Sequence, residues 1–75
     1  MRVVLQVISG PNNNQRRLLR PGQSVRVGRS EEADMPCSDD HKLSRTHFSI
    51  HVDDVGCLLQ DLQSRNGTKV NEIPV

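Results

Sequence analysis

Three short polar segments of this chain carry the side chains best suited to binding an anion. The first runs over 42–48 and combines two cations, a serine, a threonine and a histidine. The second is Gly28-Arg29, and the third runs over 64–68. The planar guanidinium group of an arginine can donate hydrogen bonds to two phosphate oxygens at once. We predict that the three segments meet in space as one pocket for a dianion, and the pattern offers no group that would cleave a bond.

The side chains of these segments suit different parts of an anionic ligand. Arg29 would hydrogen-bond to phosphate oxygens, and Ser44 adds a neutral hydroxyl donor. Lys42 and Arg45 place mobile positive charge on either side of the serine. Asn66 carries both a donor and an acceptor, which suits a peptide backbone better than a phosphate. Together they describe a dianion receptor beside a peptide clamp.

The order of these residues resembles the signature of the forkhead-associated (FHA) domain family over nearly the whole chain. The matching residues are Gly28-Arg29, Ser44-x-x-His47, Asn66-Gly67 and Asn71. The family belongs to the arginine-based readers of phosphorylated motifs. The resemblance implies an eleven-stranded β-sandwich whose loops at one end bind phosphothreonine in a partner protein or peptide. It therefore implies a non-catalytic signalling module for protein–protein interaction.

The resemblance also implies a role for each binding residue. Arg29 and Ser44 would hold the phosphate directly, and Lys42 resembles the family's second cationic phosphate contact. Asn66 would hydrogen-bond the ligand backbone just past the phosphothreonine. Arg65 stands where many members have threonine or serine, so a side-chain contact there would be replaced by a backbone N–H.

Other matched positions look architectural. Gly28 and Gly67 permit tight turns or close backbone approach, and His47 and Asn71 would brace the loops. Asn71 is commonly followed by glycine in the family, so Glu72 departs from the pattern. The larger departure is length, because roughly the last four strands of the sandwich are missing.

Apolar alternation predicts an all-β fold, with 1–75 as a single domain. Phe48, Ile50 and Val52 would face inward, whereas His47 and the other alternate positions would face the opposite way. Asn66-Gly67 is typical of a hairpin turn. Strands are predicted at 3–8, 16–19, 24–27, 35–37, 47–52, 57–62 and 68–70, the fourth of them a brief edge strand.

The last residues, 71–75, read as a turn leading into a further strand. A sheet that ends in this way has an unpaired edge, which favours pairing with a second chain. Two interpretations stay open. Either the chain is a fragment, or a neighbour supplies the missing strands in a strand-exchanged or edge-paired dimer.

Composition argues against several other partners. The net charge is +1, from ten Lys and Arg against nine Asp and Glu, and Phe48 is the only aromatic residue. Neither nucleic acid nor membrane is therefore expected. A small nucleic-acid binder remains a weaker alternative, based on the cluster Arg16, Arg17, Arg20 and Arg26.

The two cysteines and the short apolar run near the start of the chain are used to predict the cellular compartment. Cys37 and Cys57 form no metal-binding or redox spacing, and the apolar run near the start is too short for a signal peptide. We interpret both thiols as reduced core fillers in a cytoplasmic protein, or a nuclear one in a eukaryote.

Catalytic and metal-binding interpretations are weaker. Ser44, His47 and Asp53 suggest a hydrolytic triad, but the chain has no Gly-x-Ser-x-Gly motif. His47 and His51 would lie about 13 Å apart along a strand, too far to share one metal ion. We expect no enzyme activity, metal or cofactor. The main alternative function is a β-sandwich assembly domain that interacts without phosphate.

Overall fold

The computed structural model describes residues 2–75, which form eight β-strands and no helix. Each predicted strand is present within a few residues of its expected position. The strands are β1 (Val3–Gln6), β2 (Arg16–Leu19), β3 (Ser24–Gly28), β4 (Met35–Pro36), β5 (Phe48–Val52), β6 (Cys57–Asp61), β7 (Lys69–Val70) and β8 (Ile73–Pro74). The all-β prediction is confirmed. Nothing in this part of the chain is a helix long and apolar enough to cross a membrane.

A four-stranded sheet in the order β4-β3-β5-β6 supports the molecule. β5 lies between β3 and β6 and pairs antiparallel with both, as the predicted β5–β6 hairpin requires. β4 is the edge strand, where the missing N–H of Pro36 costs no ladder bond. It pairs parallel with β3, contrary to a purely antiparallel sandwich, because the intervening loop brings the chain back in the same direction.

A separate hairpin, β1–β2, covers one side of the core. Alternation along β1 and β2 turns Val3, Leu5 and Leu19 inward, and Leu19 is fully buried. The buried apolar core consists of Leu19, Val25, Val27, Met35, Cys37, Ile50 and Val52. Since the largest buried side chains come from β2, β3 and β5, the core holds the β1–β2 hairpin against β3 and β5 of the sheet.

The hairpin predicted at Asn66-Gly67 is wrong, because β6 does not pair with β7. Instead β7 pairs with β8 in a small separate sheet. The two residues of their turn, Asn71 and Glu72, both have positive φ, 51° and 69°. Positive φ at both central residues is typical of a type I′ hairpin turn. The hairpin turn therefore lies at Asn71-Glu72 and not at Asn66-Gly67.

The prediction that His47 faces away from the interior is also wrong. The residue precedes β5 and is 5% exposed. The interpretation of both cysteines as core fillers holds for only one of them. Both thiols are free, but Cys37 is buried and Cys57 is exposed. Burial raises the pKa of the Cys37 thiol.

Candidate functional site

Sheet order brings the three polar segments to one end of the molecule. β3 and β6 run towards this end, and β5 starts from it, because both neighbours pair antiparallel with β5. In register, Phe48 at the start of β5 faces Val27 near the end of β3 and Asp61 at the end of β6. The residues before β5 therefore lie beside those that follow β3 and β6.

Backbone hydrogen bonds join the first two segments directly. The N–H of Arg29 donates to the carbonyl of Ser44 at 3.0 Å, and that of Ser30 donates to the carbonyl of Arg45 at 3.1 Å. Gly28 lies so close to this loop that a Cβ atom there would collide with the carbonyl oxygen of Arg45. A side chain at this position would push the two segments apart.

His47 connects the first segment to the third through its ring. Its Nδ1 accepts a hydrogen bond from the backbone N–H of Ser44 at 3.0 Å, so the proton lies on Nε2. That Nε2–H donates to the carbonyl of Gly67 at 2.8 Å. Since both nitrogens are occupied, His47 has none left to activate the Ser44 hydroxyl.

Two further bonds join the third segment to the first. The backbone N–H of Arg65 donates to Oγ of Ser44 at 2.9 Å. The side-chain Nδ2 of Asn66 donates to the carbonyl of Lys42 at 2.7 Å. The serine thus accepts a bond from Arg65 and keeps its own proton for an acceptor outside the protein. Asn66 keeps its side-chain oxygen and a second N–H.

Positive charge surrounds Ser44 and has no acidic partner. Arg29 is half-buried, and its Nε donates to the carbonyl of Leu43 at 3.2 Å. Among residues 2–75 its terminal nitrogens have no hydrogen-bond partner, and the one ion pair lies elsewhere, between Arg26 and Asp34. The other three cations of the site are exposed: Lys42, Arg45 and Arg65. This end of the molecule therefore presents unused donors to an anion.

Asp61 is a positioning residue that the sequence analysis missed. Its carboxylate accepts hydrogen bonds from the Ser64 hydroxyl at 2.5 Å, from the Thr68 hydroxyl at 2.7 Å and from the Ser64 backbone N–H at 3.1 Å. These bonds, the Ser64 hydroxyl first, hold the pKa of Asp61 below its usual value. The spacing Asp61-x-x-Ser64 was the available signal, because an aspartate commonly accepts from residues just ahead of it.

Apart from Gly28, which packs closely against the loop of Arg45, Asn71 is the one predicted site residue that these bonds do not include. It lies at the exposed turn between β7 and β8, and its side chain has no hydrogen-bond partner in the described structure. Residues 2–75 also hold no cluster of three or more side chains suited to a metal ion. The arrangement can bind and orient an anion through Ser44, cationic side chains and backbone N–H groups.

Comparison with known proteins identifies the family. The FHA domain sequence model matches residues 25–75. FHA domain-containing protein FhaA of Mycobacterium tuberculosis is 38% identical over 73 residues, which make up 97% of this chain and 13% of FhaA. The chain spans only 13% of FhaA and 17% of a second curated relative, FHA domain-containing protein At4g14490 of Arabidopsis thaliana.

Solved structures agree in fold. A chain solved for a structural and functional analysis of phosphothreonine-dependent FHA domain interactions matches all of this chain and 74% of its own length, with a TM-score of 0.83 and 39% identity. The FhaA FHA domain, crystallised with the intracellular domain of Rv3910, matches 96% of this chain and 75% of its own, with a TM-score of 0.78 and 39% identity. By its sequence match and its fold, this chain belongs to the FHA domain family.

Proposed function

We propose that this chain is a non-catalytic module that recognises phosphothreonine in an extended peptide and so mediates phosphorylation-dependent association. The observation that carries the proposal is the position of Ser44. Its Oγ accepts from the N–H of Arg65, and its carbonyl accepts from the N–H of Arg29, so it lies where all three loops meet. A ligand bound at Ser44 therefore touches every loop.

In this proposal the phosphate binds through charge-assisted hydrogen bonds. The free terminal nitrogens of Arg29 take two phosphate oxygens, and the Ser44 hydroxyl donates to a third. Lys42 adds a point charge, while Arg45 and Arg65 strengthen the positive field from the exposed rim. No group activates a nucleophile, because the ring of His47 is already bonded on both sides.

The peptide backbone is held beside the phosphate. The unused oxygen and second N–H of Asn66 pair with the main chain just past the phosphothreonine, and the bond from Asn66 to Lys42 fixes the amide for this contact. Gly28, His47 and Gly67 keep the loops in place, and we assign Asn71 a supporting role through the β7–β8 turn. The relative analysed for phosphothreonine-dependent interactions supports this ligand class.

Replacing Arg29 with alanine tests the pocket. A hydrogen bond to a charged group is worth about 1.5–3 kcal/mol, so the loss of Arg29 should weaken binding at least about tenfold. Isothermal titration calorimetry with a phosphothreonine peptide library measures this, with unphosphorylated and phosphoserine peptides alongside. The family resemblance implies a contact with the threonine methyl group, so phosphoserine should bind more weakly.

The matched control is Arg16→Ala, which removes an exposed arginine from β2, outside the loop cluster. Its affinity for the phosphopeptide should equal that of the parent. If Arg29→Ala bound as tightly as the parent, or if the unphosphorylated peptide bound equally well, the pocket assignment would be wrong.

For this role the chain must meet phosphorylated proteins, which we place in the cytoplasm, or in the nucleus if the source is a eukaryote. We also propose that 1–75 acts as a single binding unit. Fluorescence microscopy of the tagged full-length protein tests the location. A protein found only outside the cell would contradict it.

A second candidate function is assembly through open strand edges. β6 and the β7–β8 hairpin each have an edge without a neighbouring strand in the described structure, and Leu58 and Ile73 on them are 66% and 67% exposed. Beside β1 lies an apolar groove of about 180 Å³, lined partly by Leu5, Val7 and Phe48. We propose that a second copy pairs with these edges to form a dimer.

Light scattering after size-exclusion chromatography tests the dimer over a range of concentrations. The dimer fraction should rise with concentration, and Leu58→Lys or Ile73→Lys should abolish it by placing a charge on the edge. The control Val55→Lys changes an exposed residue in the β5–β6 turn and should leave the dimer intact. A monomer at every concentration would contradict this proposal.

A further inference from the structure

We propose that the outward face of the β1–β2 hairpin is a second binding surface, which takes an acidic extended protein segment along the edge of β2. This surface, called here the arginine face, consists of Arg2, Val4, Arg16, Leu18 and Arg20. It is independent of the phosphopeptide pocket, because none of its residues belongs to the three loops described above.

Strand alternation puts these residues on one face. Val3, Leu5 and Leu19 point into the core, so Val4, Arg16 and Leu18 in β1 and β2 point outward. The same alternation, extended by one residue beyond each strand, places Arg2 and Arg20 on that face. Val4 and Leu18 are direct cross-strand partners and are 59% and 43% exposed. They form an apolar pair at the centre of a surface that no other described element covers.

Arginines surround this apolar pair. Arg16 and Arg20 lie two residues before and after Leu18, and Arg2 lies two residues before Val4. All three are exposed, and within residues 2–75 none of their guanidinium groups makes an ion pair or a hydrogen bond. Other basic residues nearby are engaged, since Arg17 donates to the carbonyl of Asp34 and Arg26 pairs with its carboxylate. The arginine face thus keeps uncompensated positive charge although the whole chain has a net charge of only +1.

The free edge of β2 indicates how a partner binds. Within the described residues β2 has one neighbour, β1, so its other edge can accept a strand through main-chain hydrogen bonds. Arg16 and Arg20 lie about 13 Å apart along the strand, the span of five extended residues. A complementary segment therefore carries acidic residues four apart, with an apolar residue midway opposite Leu18.

The same arginines select against other partners. A second copy pairing antiparallel with β2 would set arginine against arginine, and like charges directly opposite destabilise a strand pair. Nucleic acid or an anionic membrane would bind the arginines but would not contact the apolar pair or hydrogen-bond to the strand edge. Charge complementarity, apolar pair and open edge together fit an acidic protein segment.

An NMR titration tests this proposal on the full 75-residue chain labelled with ¹⁵N. The probe is a peptide with the central sequence Glu-Thr-Val-Thr-Glu, and the control peptide has glutamine in place of both glutamates. We expect amide shifts along β1 and β2, not in the loops at 42–45 and 64–67. The glutamine peptide should bind about two- to thirtyfold more weakly, since two opposite-charge strand pairs are lost.

Two double variants test whether binding of the acidic peptide depends on the arginine face or only on the net charge of the chain. Arg16→Gln with Arg20→Gln should weaken binding of the acidic peptide about two- to thirtyfold. Arg26→Gln with Lys69→Gln removes the same net charge outside both surfaces and should leave that affinity unchanged. Equal binding of the two peptides, or shifts confined to the phosphopeptide loops, would overturn the proposal. So would tighter arginine-dependent binding to a 12-base-pair DNA duplex or to phosphatidylserine-containing vesicles than to the acidic peptide.

Discussion

At the scale of single residues, His47 and Asp61 organise the site without presenting atoms to a ligand. His47 joins Ser44 to Gly67 through its two ring nitrogens. Asp61 holds Ser64 and Thr68, and thereby the segment that carries Asn66. The donors offered to a phosphate are therefore fixed before it binds, which reduces the conformational entropy that binding must remove.

Asp61→Asn tests this preorganisation. The amide cannot accept all the hydrogen bonds that the carboxylate accepts from Ser64 and Thr68, so the loop should become more mobile. Affinity for a phosphothreonine peptide should fall severalfold, as measured by fluorescence anisotropy. Asp61 lies outside the pocket, so the loss reflects positioning rather than a removed contact.

Asp53→Asn is the matched control for this change. Asp53 accepts backbone N–H groups of Val55 and Gly56 in the turn at the other end of β5. Both variants should lower thermal stability, but only Asp61→Asn should weaken phosphopeptide binding. Equal affinities in the two variants would show that Asp61 supports the fold and not the site.

At the scale of elements, the β7–β8 turn carries strain that glycine would remove. Glu72 has a φ of 69°, in the left-handed region that side chains disfavour. Glu72→Gly should relieve about 1–2 kcal/mol of backbone strain in the folded state. It should also cost about 0.4–1 kcal/mol of stability, because glycine gives the unfolded chain more conformational freedom. Urea denaturation should therefore show a net stabilisation of up to about 1.6 kcal/mol, with a mid-range value of about 0.8 kcal/mol.

Glu31→Gly is the control for that substitution. Glu31 is also exposed, but its φ is not positive, so glycine relieves no strain there and should lower stability. If Glu72→Gly proved as destabilising as Glu31→Gly, the left-handed backbone at the turn would not be a source of strain.

Strand prediction succeeded where pairing is reinforced by an alternating apolar pattern. Val25 and Val27 in β3, and Ile50 and Val52 in β5, occupy one face because that face is buried. The segment over 62–68 has no such pattern. Its path is set by hydrogen bonds to Asp61 and His47, so a local turn signal at Asn66-Gly67 predicted the wrong hairpin.

At the scale of the whole molecule, three carboxylates make stability depend on pH. The pKa values of Asp34, Asp53 and Asp61 are lowered chiefly by hydrogen bonds, from backbone N–H groups in the first two and from the Ser64 hydroxyl in the third. Because the folded pKa lies below the unfolded value of about 3.9, the unfolded chain binds more protons in acid. This stabilisation is present above about pH 4 and is lost as pH falls through the folded pKa values.

Thermal denaturation between pH 2.5 and pH 7 should show this loss as a fall in midpoint temperature beginning near pH 4. Asp34→Asn is the informative variant, because it removes one contributing carboxylate along with the ion pair to Arg26. The midpoint temperature of this variant should be lower than that of the parent at neutral pH, and it should fall less than the parent's as the pH is lowered. A parent midpoint independent of pH below 4 would contradict the assignment.

The sequence by itself determined the strands and the chemistry of the ligand. Alternation of apolar side chains is a local property that identifies a half-buried strand, and arginine, lysine, serine and asparagine name the groups available to a phosphate. Only the tertiary structure decided which of these groups meet. The burial of His47, its hydrogen bond to Gly67 and the bond from Arg65 to Ser44 depend on residues about twenty positions apart in the sequence, and no local pattern encodes such contacts.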